Sequence, residues 1–305
     1  MKKSKRRLFN RVFISVTNNH NLDDRRRALK SALLEKIRVS GFAPQEFWES
    51  GLPKNLGWSF DNLDRVVRQC VAAVVVGFPR WAIPGSPSET RLAGEYNHYE
   101  GAVALTHGIP VLLIAENGVE NRGIVWDGGG KAIAYIPEDA TPAWLDGPEF
   151  TKRYKAWLRD IAARRDVFLG YCSKSSGTAA KIQLRLQKSG ASVQNWEMDF
   201  RTGGSILNEI EKARAACACG VFLFSEDDPL DGTKGGAAPR DNVVFEAGYF
   251  MSSKGPARCL IIRQGDAKIP ADLGGAIYVH LKKGDDVATI EGRLADFLKK
   301  NLKRK

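Results

Sequence analysis

The chain has 305 residues, 43% of them hydrophobic, with a formal net charge of +11, which is enough for two domains with separate buried cores. Residues 1–7 hold five basic groups and residues 296–305 hold five basic and one acidic, so the body between is nearly neutral. That placement reads as solvated tails and argues against nucleic acid as the principal ligand. The longest apolar runs, such as 71–76 and 109–115, are too short to cross a bilayer, and the first thirty residues lack a secretory core. The expectation is a cytoplasmic protein without a membrane segment.

In chain order, "RVFISVT" (11–17) reads as a first strand, followed by a helix through "RRRALKSALLEKIRVSGF" that stops at a glycine. "WSFDNLDRVVRQCVAAVVVGF" (58–78) is a helix running into a buried strand. After a long loop, "EYNHYEGAVALTHGIPVLLIAE" is a helix carrying a glutamate, a turn and another strand, and "KAIAYIP" closes the series. A helix over 146–165 is expected as a linker. The same events then recur: "DVFLGYC" (166–172), the helix "AAKIQLRLQKSGAS", "GGSILNEIEKARAACACGVFLFS" (203–225), a long loop, "RDNVVFEAGYFMSSKGPARCLIIRQ" and "GAIYVHL". Continuous apolar strands alternating with helices imply parallel sheets covered on both faces. The predicted fold is therefore α/β, two tandem flavodoxin-like doubly wound domains over 8–145 and 166–298.

Ligands in such sheets sit at the carboxyl ends of the strands. In the second half those ends carry "GYCSKSSGT", with Gly170, Tyr171 and Ser173, and then Gly203 and Gly204 before Ser205, a good N-cap. A loop from 225 to 242 follows, too long for a plain connection. The five cysteines are scattered, without CxxC or paired-histidine spacing, so reduced thiols and no metal are expected; Cys217 and Cys219 are placed at an Ala-rich helix end.

Glu246 is the isolated acid in an apolar stretch, among Val243, Val244, Phe245, Ala247, Tyr249 and Phe250. With Asp241 or Asn242 as the cap, it falls near a helix start. Desolvation raises its pKa, whereas the helix terminus and Arg240 oppose that, so its charge is open at this point. A carboxylate in an apolar, nucleotide-sized cleft suits cleavage of an N-glycosidic bond, where it faces oxocarbenium charge. The rival role is a cap or a salt bridge with Arg240.

"GGSILNEIEKARAACACGVFLFSEDDPL", "APRDNVVFEAGYF" and "IPADLGGAIYVHL" together resemble the TIR-like nucleotide-binding domains of bacterial anti-phage effectors, including those fused to STING-type or cyclic-nucleotide-sensing modules. The resemblance covers about 166–281. It implies an NAD glycohydrolase that releases nicotinamide, with NAD as substrate and no cofactor, and with Glu246 at the position of the catalytic glutamate. Asp227-Asp228 matches the family's acidic pair after the third strand; nucleotide contacts are expected from Asp228, Arg240 and Asn242, and the resemblance implies a homo-oligomer or filament assembled on an upstream signal. Gly170-Tyr171-Cys172-Ser173 departs from the family's His-Gly-containing first loop. The first half resembles, more faintly, TIR-like and nucleoside deoxyribosyltransferase-like domains, which puts Glu100 where Glu246 stands, with Asn97 beside it as a second candidate site. The alternatives are a non-catalytic nucleotide or second-messenger receptor and a nucleoside base-exchange enzyme.

Overall fold

The computed structural model describes residues 10–49, 57–85, 89–195, 205–230, 236–273 and 278–302. Two compact units divide the chain between Ala163 and Arg164. The helix expected as a linker forms within the first of them.

In the N-terminal unit the elements are β1 (Arg11–Val16), α1 (Asp24–Val39), β2 (Ala43–Glu46), α2 (Phe60–Val67), β3 (Ala72–Gly77), β4 (Pro79–Ile83), β5 (Thr90–Ala93), α3 (Glu95–Thr106), β6 (Val111–Glu116), β7 (Ile133–Ile136) and α4 (Pro148–Ala163). Five strands form one parallel sheet in the order β2-β1-β3-β6-β7. All six residues of β3 are buried, as a central strand covered on both faces requires. The helix α4 buries Phe150, Tyr154, Trp157 and Ile161, and the indole N–H of Trp157 donates to the carbonyl of Pro110 at 3.2 Å. Its apolar face thus packs within that same unit.

In the C-terminal unit follow β8 (Arg165–Gly170), α5 (Ser176–Lys188), β9 (Val193–Asn195), α6 (Ile206–Ala216), β10 (Cys217–Phe224), β11 (Asp228–Pro229), β12 (Ala237–Ala238), α7 (Asp241–Lys254), β13 (Cys259–Gln264), β14 (Tyr278–Leu281) and α8 (Glu291–Asn301). The sheet order β9-β8-β10-β13-β14 repeats that of the first unit strand for strand, again all parallel. The predicted tandem doubly wound fold is what the chain adopts.

Local chemistry explains the repetition. Both α1 and α5 end at a Ser-Gly step, and Gly41 and Gly190 each take φ +90°, which closes the helix and returns the chain to the sheet. Both long loops contain a hairpin at the same place, after the third strand. In the first unit β4 and β5 pair antiparallel over Pro79↔Ala93 to Ile83↔Thr90; in the second only Asp228↔Ala238 and Pro229↔Ala237 pair. The C-terminal core centres on Phe250, which stacks on Phe168 at 4.9 Å and meets Phe222 edge-on at 5.4 Å. Cys217 and Cys219 belong to β10, where both are fully buried, and not to the helix end expected from the Ala-rich run.

Candidate functional site

The C-terminal site is built where β8 and β10 end and α7 begins. Arg240 takes the N-cap position of α7 and contributes no side-chain cap. Asp241 and Asn242, the caps expected from sequence, are exposed and lie inside the first turn. The Arg240 N–H donates instead to Oδ2 of Asp227 at 3.1 Å. Asp227 is itself buried, and its Oδ1 accepts the Ser225 hydroxyl at 2.8 Å, which in turn accepts the Ser175 hydroxyl at 2.6 Å. The ammonium of Lys174 donates to the Asp227 carbonyl at 2.8 Å. One carboxylate therefore clamps the turn after β8, the end of β10 and the start of α7.

That clamp aims the inner face of α7, formed by Val243, Glu246, Ala247 and Phe250, at the sheet. Glu246 is 7% exposed. Its carboxylate lies over the last residue of β8: a Cβ on Gly170 would come within 2.7 Å of Glu246 Oε2 and within 2.7 Å of the Phe222 ring. Only glycine leaves room for this approach. Among the described residues Oε2 is buried without a hydrogen-bond partner, and burial pushes the carboxyl up to about 7. The arginine expected to oppose that shift points elsewhere, because Arg240 Nη1 holds both oxygens of Asp228 at 3.1 and 3.2 Å. The salt-bridge role for Glu246 is thereby removed. A buried acid left unpaired at a strand terminus is a costly arrangement that structure alone does not require.

The other sequence candidates divide. Gly170 shares the site with Glu246, and Arg240 joins it through its backbone. Asp228 sits at the rim, paired with Arg240 and 3.7 Å from Lys174. Ser173 and Asn242 are exposed. Ser205 is the N-cap of α6, without a side-chain capping bond. Tyr171 turns inward, 3% exposed, with its hydroxyl donating to Asn195 at 2.7 Å. Gly203 and Gly204 lie outside the described residues. Sequence reasoning underweighted Asp227, Ser225 and Ser175; the visible signal was the first acid of Asp227-Asp228 standing right after a buried strand.

In the N-terminal unit Glu100, 8% exposed, is the sixth residue of α3, as Glu246 is of α7. Its surroundings differ. The Ser15 hydroxyl and the Trp58 indole N–H, the latter at 3.3 Å, donate to its carboxylate. Asn97, 3% exposed, donates to Ser15 Oγ at 2.9 Å. Burial still outweighs these bonds and raises the Glu100 carboxyl to about 7. His98 is structural: its Nδ1 accepts the Ile124 N–H at 3.1 Å.

Residues 166–283 match the family model described as CAP12/Pycsar effector protein, TIR domain. The Pycsar effector protein BcPycTIR of Burkholderia cepacia is 30% identical over 165 residues, 50% of this chain and 54% of that protein. CD-NTase-associated protein 12 of Lachnospiraceae bacterium (strain RUG226) is 36% identical over 129 residues, 40% of this chain and 41% of its own. PaPycTIR of Pseudomonas aeruginosa, also a Pycsar effector protein, is 30% identical over 116 residues, 35% and 37% of the two chains. The matched stretches thus span about half or less of these relatives.

Proposed function

We propose that this chain, whose residues 166–283 match the TIR-domain model of CAP12/Pycsar effector proteins, is an effector of bacterial anti-phage defence that hydrolyses NAD. The observation that carries the reading is the unpartnered, buried carboxylate of Glu246 set against Gly170 at the carboxyl edge of a parallel sheet.

In the reaction the bond from ribose C1′ to the nicotinamide nitrogen breaks, and its electron pair leaves with the ring. Nicotinamide departs neutral, so no general acid is needed. Positive charge builds on the ribose, and the ionised Glu246 carboxylate faces it in a desolvated setting where the attraction is strong. Water then bonds to C1′ and releases a proton, giving ADP-ribose. Asp227, through the Arg240 N–H, holds the start of α7 and hence the height of Glu246 above β8. The proposed signal upstream is a cyclic nucleotide, in keeping with relatives named as CD-NTase-associated and Pycsar effectors. Assembly into an oligomer on that signal, in the cytoplasm, belongs to the same proposal. Among the described residues no helix is long and apolar enough to cross a membrane.

The test is nicotinamide release from NAD by the purified chain, with and without extract from phage-infected cells. Glu246→Gln is expected to fold and to lose at least about two orders of magnitude in rate, equivalent to about 3 kcal/mol of transition-state stabilisation. Unchanged turnover in that variant would remove Glu246 from the mechanism.

A further inference from the structure

A cleft of about 170 Å³ opens in the N-terminal unit between the ends of β1 and β2 and the first turns of α3. Its lining includes four aromatic residues, and their rings meet at steep angles: Phe47 on Trp48 at 87°, and Trp58 on Tyr96 at 71° with centroids 5.0 Å apart. Rings crossed in this way enclose a corner. A planar heterocycle cannot lie flat on both members of such a pair, whereas a compact cation can meet more than one ring at once.

The charges agree with the rings. Glu46, Glu95 and Glu100 line the cleft, with Arg80 as the one cation among the described lining residues. Glu46 is paired with Lys30 of α1 at 2.9 Å. Glu95 is held below the usual carboxylate range by the Trp81 indole N–H at 3.1 Å and by the charge of Arg80. Glu100 differs from both. It is 8% exposed, its donors Ser15 and Trp58 are neutral, and Glu46 adds a second negative charge nearby. Ionised, it has no balancing cation among the described residues. Asn97, 3% exposed, gives its amide N–H to Ser15 Oγ at 2.9 Å. Ser15 donates to Glu100 and so can only accept from Asn97, which turns the Asn97 amide oxygen toward other donors. Among the described residues no group of three His, Cys, Asp or Glu is placed to hold a metal ion, so the complement to this cleft is an organic cation.

We infer that the cleft binds a small primary alkylammonium, whose N–H groups donate to the Glu100 carboxylate and the Asn97 amide oxygen and whose charged end lies against Trp48 and in the corner of Trp58 and Tyr96. Cation–π attraction to the rings adds to the charge-assisted hydrogen bonds. The Ser15 and Trp58 bonds fix the carboxylate in advance of the ligand. The site is separate from the NAD reading, and either can fail without the other.

The test is a titration of the full chain with n-butylammonium, followed by NMR on the indole N–H of Trp58, whose resonance is assigned with Trp58→Phe. n-Butanol and butyrate serve as the neutral and anionic counterparts, and butyltrimethylammonium as the cation without N–H groups. Butylammonium is expected to bind at millimolar concentration, at least about tenfold tighter than the alcohol or the acid and several-fold tighter than the quaternary ion. Affinity should rise about tenfold between pH 6 and pH 8, because burial raises the Glu100 carboxyl to about 7 while the amine keeps its proton throughout. Glu100→Gln should weaken binding at least about tenfold and remove that pH dependence. Trp48, 64% exposed and so replaceable without loss of the fold, gives the mildest variant: Trp48→Ala should weaken binding about threefold. Glu246→Gln should leave it unchanged. Four results would each overturn the assignment: no binding of butylammonium at millimolar concentration, equal binding of the alcohol, the acid or the quaternary ion, an affinity that does not change with pH, or full affinity in both Glu100→Gln and Trp48→Ala.

Discussion

Ser15, the penultimate residue of β1, and Gly170, the last of β8, take corresponding places in the two units, each under the glutamate of the helix that follows the hairpin. In the N-terminal unit the residue there has a hydroxyl, and that hydroxyl donates to Glu100 while accepting from Asn97. In the C-terminal unit it has no side chain, and the carboxylate of Glu246 fills the space without a partner. Three residues before each glutamate the units differ in the same sense: Asn97 in one, Val243 in the other. A duplicated fold thus presents the same acid twice, once within a hydrogen-bonded polar floor and once against phenylalanine rings. The first environment suits a stable ion pair with a bound ammonium; the second suits meeting positive charge that appears only in a transition state.

Exchanging those two residues is the sharpest way to break the comparison. Gly170→Ser forces atoms into the space between Glu246 and Phe222. NAD hydrolysis is expected to fall at least about 100-fold, about 3 kcal/mol, with a further stability cost of about 1–3 kcal/mol from overpacking, read by urea unfolding. Retention of full activity would mean that the carboxylate does not work from its position over β8.

The pH dependence of stability comes next in size. Burial raises both carboxyls from an ordinary value of 4.5 to about 7, so the folded chain binds these protons more tightly than the unfolded one. Their contribution is fully present below about pH 4.5 and is lost as pH rises through about 7. Glu246→Gln should therefore match the parent at pH 4.5 and exceed it by up to about 3 kcal/mol at pH 8 in chemical denaturation. An equal difference at both values would mean that Glu246 is not desolvated in solution. By the same shift, hydrolysis should rise with pH through about 7, as the ionised form accumulates.

Ser15→Gly gives the N-terminal unit the glycine of its counterpart. Loss of the hydroxyl removes its bonds to Glu100 and Asn97 and should destabilise that unit by about 1–3 kcal/mol. Nicotinamide release should be unaffected. The smallest effect is expected from Asp228→Ala at the exposed pair with Arg240: under about 1 kcal/mol in thermal unfolding. Asp227→Asn, which weakens the clamp on α7, should cost more than Asp228→Ala in both stability and rate.

Much of this was legible in the sequence because its causes are local. Continuous apolar runs such as 72–77 and 217–224 define buried parallel strands, and the Ser-Gly stops at 40–41 and 189–190 mark equivalent helix ends. Glu246 stood out because it breaks an apolar run, and the inner face of α7 is where such a break has consequences. The partners of each acid were not legible, since they come from distant parts of the chain. Ser15 and Trp58 lie 85 and 42 residues from Glu100, and the Gly170 approach to Glu246 depends on a shared register of strand and helix. The hairpin of β4 and β5 reads as loop in the sequence, because strands of five and four residues, the first opening on Pro79, have no clear alternation. Cys217 reads as helical in the sequence because no glycine or proline separates α6 from β10. Tyr171 reads as part of a ligand loop in the sequence, but its hydroxyl finds Asn195 on the neighbouring strand β9.

The most direct measurement is nicotinamide release from NAD by three proteins side by side at pH 8: the parent, Glu246→Gln and Glu100→Gln, each exposed to extract from phage-infected cells. Glu246→Gln is expected to lose at least about 100-fold while Glu100→Gln stays within about twofold of the parent. Loss of turnover in Glu100→Gln with full activity in Glu246→Gln would place the reaction in the N-terminal unit and remove Glu246 from it.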